Sequence, residues 1–315
     1  MKLAHFQHLT MAALLLMACR PGSPKPIDFP FHADYALTDI ALDPTWNSPI
    51  ASPADVVLPE ISGAAQSQAD DEFTWMLMDS GDSAHLYLMD HRRGTHLATL
   101  KVLGVHNEDW EDMASVTDSL GNHWLFVADI GDNAESRSSA TIYAFHEPPL
   151  ASIDTNDASV SQLWSPSALR TWEYVYEDGA QDAESFFVDP MTMKLLVWSK
   201  RSSRNAIYEL PAWPSGSTDT AVLKGTFPMT HTTAADCARL SDGSMPVILR
   251  NYQGAWIWPR EADEPLYRAL VKQPYKLPYT YNELQGEAIW WQGESWSTIS
   301  ESPLGMPVKI WTYSR

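Results

Sequence analysis

A pattern that recurs five times constrains the fold more than any other feature of this sequence. A small or acidic cluster is followed by an apolar run, a turn, a second apolar run, another turn and a third run ending near a Tyr or Trp. The clusters begin near Glu60, Asn107, Asp182, Thr233 and Gly286, so successive starts are 47, 75, 51 and 53 residues apart. The runs, such as Phe73–Met78, Trp124–Val127, Leu195–Trp198 and Ala255–Trp258, are rich in the β-branched and aromatic residues that suit a pleated surface. Asp79-Ser80-Gly81-Asp82, Gly131-Asp132-Asn133, Asp189-Pro190 and Ser241-Asp242-Gly243 supply turns between them. A period of about 40 to 50 residues with several short strands per unit is what a propeller blade requires.

The chain is therefore expected to be all-β: a β-propeller of five blades, with six as the alternative, each blade holding four antiparallel strands. One domain over residues 32–315 follows; a β-sandwich or a pair of β domains is the competing architecture. The long second interval holds a polar insertion, Ser152 to Ser161, before a strand around Trp172 to Tyr176. The last unit, Gly286 to Arg315, is one strand short, and His32 to Ile40 is expected to fill the gap and close the ring.

Composition narrows the partners. With 44% apolar residues and 14 Trp, the chain has enough apolar mass for a packed core. The net charge of −19 argues against nucleic acid, whose phosphates need a basic surface, and against electrostatic docking to anionic lipid. At the N-terminus, Lys2 and the apolar run Met11 to Ala18 have the form of a signal segment too short to span a bilayer. Leu16-Met17-Ala18-Cys19 resembles the bacterial lipobox. The expectation is a lipoprotein signal peptide over residues 1–18, lipidation of Cys19, and a Pro/Gly/Ser tether over residues 19–31. Arg20 stands where an Asp would favour retention in the inner membrane, so the expected address is the outer membrane, facing the periplasm. Cys237 is then left single and is expected to be a small buried hydrophobe.

The polar clusters fall just before each unit's first strand. In a propeller that strand lines the central channel, so equivalent positions converge on one axis. Asn107, Asp109 and Glu111 alternate, as do Asp182 and Glu184, which puts each set on one face of an extended strand. The candidate metal ligands are Glu60, Asp109, Glu111, Asp132, Glu184, Asp236 and Glu287. Crowded carboxylates raise each other's pKa unless a cation relieves them, and oxygen ligands without His or Cys favour calcium. The alternative is that these carboxylates are solvated or cap turns, with Arg137, Arg201 or Arg250 as structural ion-pair partners. The segment Asn107 to Asp112 is the strongest candidate, with Trp110 offering a stacking surface.

At these residues the sequence resembles a family of bacterial secreted and lipoprotein β-propellers, mostly uncharacterised. The matches run in order through Glu60-Ile61-Ser62-Gly63, Asp79-Ser80-Gly81-Asp82, Asp109-Trp110-Glu111-Asp112, Asp129-Ile130-Gly131-Asp132-Asn133, Asp182-Ala183-Glu184, Lys200-Arg201, Arg250-x-Tyr252 and Gly286-Glu287-Ala288. More distantly the pattern is similar to phytase-like and calcium-dependent esterase-like propellers, which implies acidic blade residues around calcium at the channel mouth. The strongly acidic chain argues against a polyphosphorylated substrate.

Other chemistry lacks its signals: there is no G-x-S-x-G elbow, no zinc spacing and no nucleotide-binding loop. His106 and His231 are isolated and expected at turns or the rim, and Trp290-Trp291 and Trp256-x-Trp258 are expected to pack rather than stack on sugar. The expected function is a lipid-anchored propeller with an axial calcium site. If catalytic, it is a hydrolase in which the metal polarises a phosphoryl or acyl oxygen and activates water. Glu111 and Glu184 would then be ligands or bases, and Lys200, Arg201 and Arg250 would hold a small anionic substrate. The alternative is a non-catalytic binding or assembly module with a structural ion and a protein partner in the cell envelope. A monomer is expected in either case.

Overall fold

A computed structural model describes residues 26–280, 282–302 and 305–315. The expected signal segment and lipidation at Cys19 lie outside the described residues.

Two short strands, β1 (Phe31–His32) and β2 (Ile50–Ala51), precede five antiparallel sets. The first set is β3 (Ile61–Gln66), β4 (Phe73–Met78), β5 (His85–Asp90) and β6 (Thr95–Val102). The second is β7 (Trp110–Thr117), β8 (His123–Asp129) and β9 (Ala140–His146), completed by β11 (Arg170–Tyr176) after a detour through β10 (Ser161–Trp164). The third is β12 (Ala183–Val188), β13 (Leu195–Ser199), β14 (Asn205–Leu210) and β15 (Asp219–Phe227). The fourth is β16 (Thr232–Cys237), β17 (Val247–Asn251), β18 (Gly254–Trp258) and β19 (Tyr275–Leu277), with a short helix, α1 (Leu266–Leu270), before β19. The fifth is β20 (Gly286–Gln292), β21 (Ser295–Ser300) and β22 (Trp311–Tyr313), and its fourth strand is β2. The fold is thus nearly all-β and built of four-stranded antiparallel sheets, as expected.

The first strands of the five sets neighbour one another in a closed circuit: β3 beside β7, β7 beside β12, β12 beside β16, β16 beside β20, and β20 beside β3. Five apolar clusters fill the gaps between adjacent sheets. Side chains alternate across a strand, so consecutive residues serve opposite clusters. Phe186 faces the second set and Phe187 the fourth; Ala64 faces the fifth and Ala65 the second. Sheets buried on both faces read in the sequence as unbroken apolar runs.

The closing strand differs from expectation. Ile50 pairs with Thr312 and Ala51 with Trp311, and the seam continues as Ser52 N donates to Ile310 O at 2.8 Å and Val56 N to Val308 O at 2.8 Å. Of the segment His32 to Ile40, only His32 is in a strand, β1 (Phe31–His32), and it runs parallel to β15 on the third sheet. The reason is local: the Phe31 ring lies over Gly225, where any Cβ would overlap it, and packs edge-on to Phe227 at 5.4 Å. The insertion leads into an unexpected strand, β10, which adds in parallel to the outer edge of β6 and covers an otherwise open edge. The second and third sheets are joined at their outer edges, where Tyr174–Tyr176 of β11 pairs in parallel with Asp219–Ala221 of β15. Among the described residues no helix is long and apolar enough to cross a membrane.

Candidate functional site

Each first strand carries a register shift against its neighbour at the same place. The shifts fall between Ile61 and Gly63, Trp110 and Asp112, Ala183 and Ser185, Thr232 and Ala234, and Gly286 and Ala288. The residues left out of the pairing are Ser62, Glu111, Glu184, Thr233 and Glu287, all buried. A bulge inserts one unpaired residue and re-aims its side chain, which is why bulges gather at functional rims. Ser62 Oγ donates to Trp110 O at 2.7 Å and Thr233 Oγ1 to Gly286 O at 3.0 Å, each tying its strand to the next just ahead of that strand's bulged Glu.

The second strand of each set runs antiparallel to the first, so its end lies beside the first strand's start. Asp79, Lys200, Tyr252 and Glu301 follow the ends of β4, β13, β17 and β21. Bulges and strand ends together form an acidic basin. Asp79, Asp109 and Glu111 each offer a carboxylate oxygen within 4.8 Å of the others. Asn107 fixes this corner: Nδ2 donates to Met78 O and Asp79 O, both at 3.2 Å, and Oδ1 accepts from Trp110 N at 3.0 Å. Asp129 fixes the loop before it, accepting from Glu108 N and Asp109 N at 3.1 Å and from Arg137 Nη1 at 2.9 Å. A Cβ at Gly131 would overlap the carboxylates of both Glu111 and Asp109, so only glycine lets the backbone pass so close.

Direct ion pairs lie on one side of the basin only. Lys200 Nζ donates to Glu184 Oε1 and lies 5.3 Å from the centre of the Tyr252 ring; this pairing outweighs burial and raises the lysine pKa. Arg201 pairs with Asp182 at 2.5 Å and with Asn133 Oδ1, and its side chain is 41% exposed. On the other side, Glu111 and Glu287 are each 6% exposed, and neither accepts a hydrogen bond among the described residues. Burial pushes Glu111 well above the usual carboxylate range, and Glu184, Asp79 and Asp109 push it further. Glu287 is raised in the same way by burial and then by Glu184. Asp109 is pushed up to about 7 by burial and by its hydrogen-bonded neighbour Asp79. Glu184 reaches about 7, where burial outweighs Lys200, and Glu301 reaches about 7 through burial and then Glu60 and Asp79.

The structure therefore brings Asp109, Glu111, Glu184 and Glu287 into one basin with Lys200, and leaves Glu60 exposed at its rim beside Glu301. Other expected ligands sit elsewhere. Asp132 is turned to its own loop, where its carboxylate accepts from Arg137 N at 2.7 Å. Asp236 has both oxygens occupied, by Cys237 N and Trp291 N at 2.8 Å each, and stitches β16 to β20. Arg250 is fully buried and bonded to Glu283, Ala288 O, Ile299 O and Tyr279, so it cannot reach a substrate and takes the structural place left open for it. Trp110 is fully buried in the core between the first and second sheets and offers no stacking surface. Trp256, Trp258, Trp290 and Trp291 are buried as well, and Cys237 is a buried core residue.

Sequence reasoning missed Asp79 and Glu301 as site residues. The signal was available: both directly follow the second apolar run of their units, as Lys200 does. Asp112, the last residue of the segment Asn107 to Asp112, has a structural role that the sequence does not show: it accepts from Met113 N at 2.9 Å, Phe186 N at 2.9 Å and Ala235 N at 3.1 Å. Burial raises its pKa well above the usual range against those three amides. One carboxylate thereby ties β7 to both β12 and β16. No protein-family model matches the chain, and no curated protein matches it.

Proposed function

We propose that the five sheets are the blades of a propeller and that the protein binds a divalent cation, calcium, at one mouth of the axis. Asp79, Asp109 and Glu111 are the protein ligands in this proposal. The observation that carries it is Glu111: a carboxylate 6% exposed, without a hydrogen-bond donor among the described residues, beside two further carboxylates. Buried polar groups are almost always paired, and a buried charge needs a counter-charge. Lys200 pairs directly with Glu184 and acts on Glu111 only through its field, as the smallest of the influences on that carboxyl. Three carboxylates with no nitrogen or sulfur donor suit a hard cation with several coordination positions left open. The test is calorimetric titration with calcium together with melting in calcium and in chelator. Saturable binding that Glu111→Gln abolishes supports the site; identical melting midpoints with no heat of binding reject it.

Hydrolysis is the second reading, favoured by Glu301, half-buried at the rim with a pKa near 7, where a general base works best. The open positions on the cation would take a phosphoryl or acyl oxygen and a water, and Arg201, the half-exposed cation at this mouth, would hold the substrate's anionic group. Calcium-dependent turnover of a nitrophenyl phosphate or acetate, lost in Glu301→Gln while calcium still binds, separates this activity from a binding module. Anchoring through a lipid on Cys19 in the cell envelope belongs to the same proposal; labelling with a radioactive fatty acid, absent in Cys19→Ala, tests it.

A further inference from the structure

Six residues along β7 from Glu111, at the opposite end of the circuit, a cleft of about 420 Å³ opens between the second and third sheets. It is formed by the turn joining β7 to β8, the turn joining β12 to β13, the start of β11 and the loop between β14 and β15. On its lining the Arg170 guanidinium lies against two indoles, 4.0 Å from the centre of the Trp124 ring and 3.8 Å from that of Trp213. Leu120, Met191 and Met193 supply apolar walls, and Trp213 is 51% exposed.

The Arg170 side chain makes no hydrogen bond or ion pair among the described residues. The nearest acid, Asp118, is committed elsewhere: Oδ1 accepts from Leu120 N and Asn122 N, and Oδ2 from Asn122 Nδ2 and Trp124 Nε1. The guanidinium carbon is therefore held within 4.0 Å of two ring centres, while its N–H donors, which can fork onto an oxyanion, are unused among the described residues. In a protein of net charge −19, a cation with an unused donor edge beside exposed indole and apolar walls is a complementary receptor for a small anion with a flat apolar body.

We propose that this cleft binds a carboxylate carried on an aromatic or other flat apolar body, the carboxylate lying on the edge of Arg170 and the body on Trp213, Leu120 and the two methionines. The site is independent of the acidic basin. Bidentate pairing distinguishes it from a purely hydrophobic trap, and the size of the cleft distinguishes it from a bare phosphate site.

The experiment is calorimetric titration of the protein with 2-naphthoate, with its neutral analogue 2-naphthalenemethanol and with inorganic phosphate. The expected result is saturable binding of 2-naphthoate, weakened about tenfold or more in Arg170→Met and in Trp213→Ala, the scale of one lost charge-assisted contact. Arg170→Lys, which keeps the charge but not the fork, should also bind more weakly. Glu111→Gln should bind like the parent, and circular dichroism melts show that each variant is folded. Equal affinity for the neutral analogue, unchanged binding in Arg170→Met, or no saturable binding overturns the proposal. Displacement of 2-naphthoate by phosphate at lower concentration overturns the carboxylate assignment in favour of phosphate.

Discussion

Gly131 and Glu111 are in such close approach that a single added carbon on the glycine would occupy the space of the carboxylate. The loop after β8 thus acts as a wall of the acidic basin, and the wall holds only while it has no side chain.

Gly131→Ala is accordingly expected to push Glu111 and Asp109 apart and to weaken calcium binding about tenfold or more, the effect of misplacing one charged ligand. Far-ultraviolet circular dichroism should be unchanged, because Gly131 lies outside the strands. Calorimetry on the variant checks this; parental affinity would show that the basin tolerates the methyl group and that Gly131 does not shape it.

The basin also makes stability depend on pH in a defined direction. Asp109, Glu184 and Glu301 hold their protons to about pH 7 when folded, whereas in an unfolded chain such groups release them near about pH 4. The folded state binds more protons between those values, so their contribution is complete below about pH 4 and is lost as pH rises through about 7. In chelator the melting temperature should fall between about pH 5 and about pH 8, and saturating calcium should flatten the fall by replacing the protons. A profile that rises over this range in chelator contradicts the assignment.

Asp112 is expected to be the most sensitive carboxylate for stability. Removing it in Asp112→Ala strands the amides of Met113, Phe186 and Ala235 on three strands, at about 1 to 3 kcal/mol for each unsatisfied buried donor. Asp112→Asn keeps one acceptor oxygen and should lose less. Urea midpoints for the pair check the order Asp112, then Asn, then Ala.

The ring closure makes a separate prediction. Ser52→Pro removes the donor to Ile310 O and the hydroxyl that accepts from Ile310 N at 3.2 Å. It should lower the melting temperature, as expected of losing ladder bonds at a seam. Truncation of residues 26–30, ahead of β1, should leave this seam intact. Hydrogen exchange at Ile310 reads both.

Much of this arrangement was legible in the residues, and its limits have physical causes. The five first strands begin where the polar clusters do, because a strand buried on both faces can hold an acid only near its end or where backbone amides occupy its oxygens, as at Asp112 and Asp236. Glu111, Glu184 and Glu287 were visible for that reason. Asp79 was hidden because it opens the turn Asp79-Ser80-Gly81-Asp82, which explains an Asp well enough alone, and Glu301 because Ser295–Ser300 before it is half serine and a weak apolar run. The fate of Asp236 and Arg250 depended on register: a shift of a few residues along a strand moves a charged group from the rim into the interior, where backbone amides or Glu283 become its partners. The closing strand was misjudged by proximity in the pattern, since His32 to Ile40 has the better strand composition while Ile50–Ala51 has the right distance from β22.

The parallel seam between β11 and β15 gives the ring a stiff flank. Glu111 and Glu184 are carried by the two sheets whose outer edges this seam hydrogen-bonds together. Glu287 and Glu301 belong to the sheet whose last strand is only two residues long. Any widening of the basin to admit a guest is therefore expected at the fifth sheet, where residues 50–51 are stitched to the last strand of the fold, rather than at the welded flank.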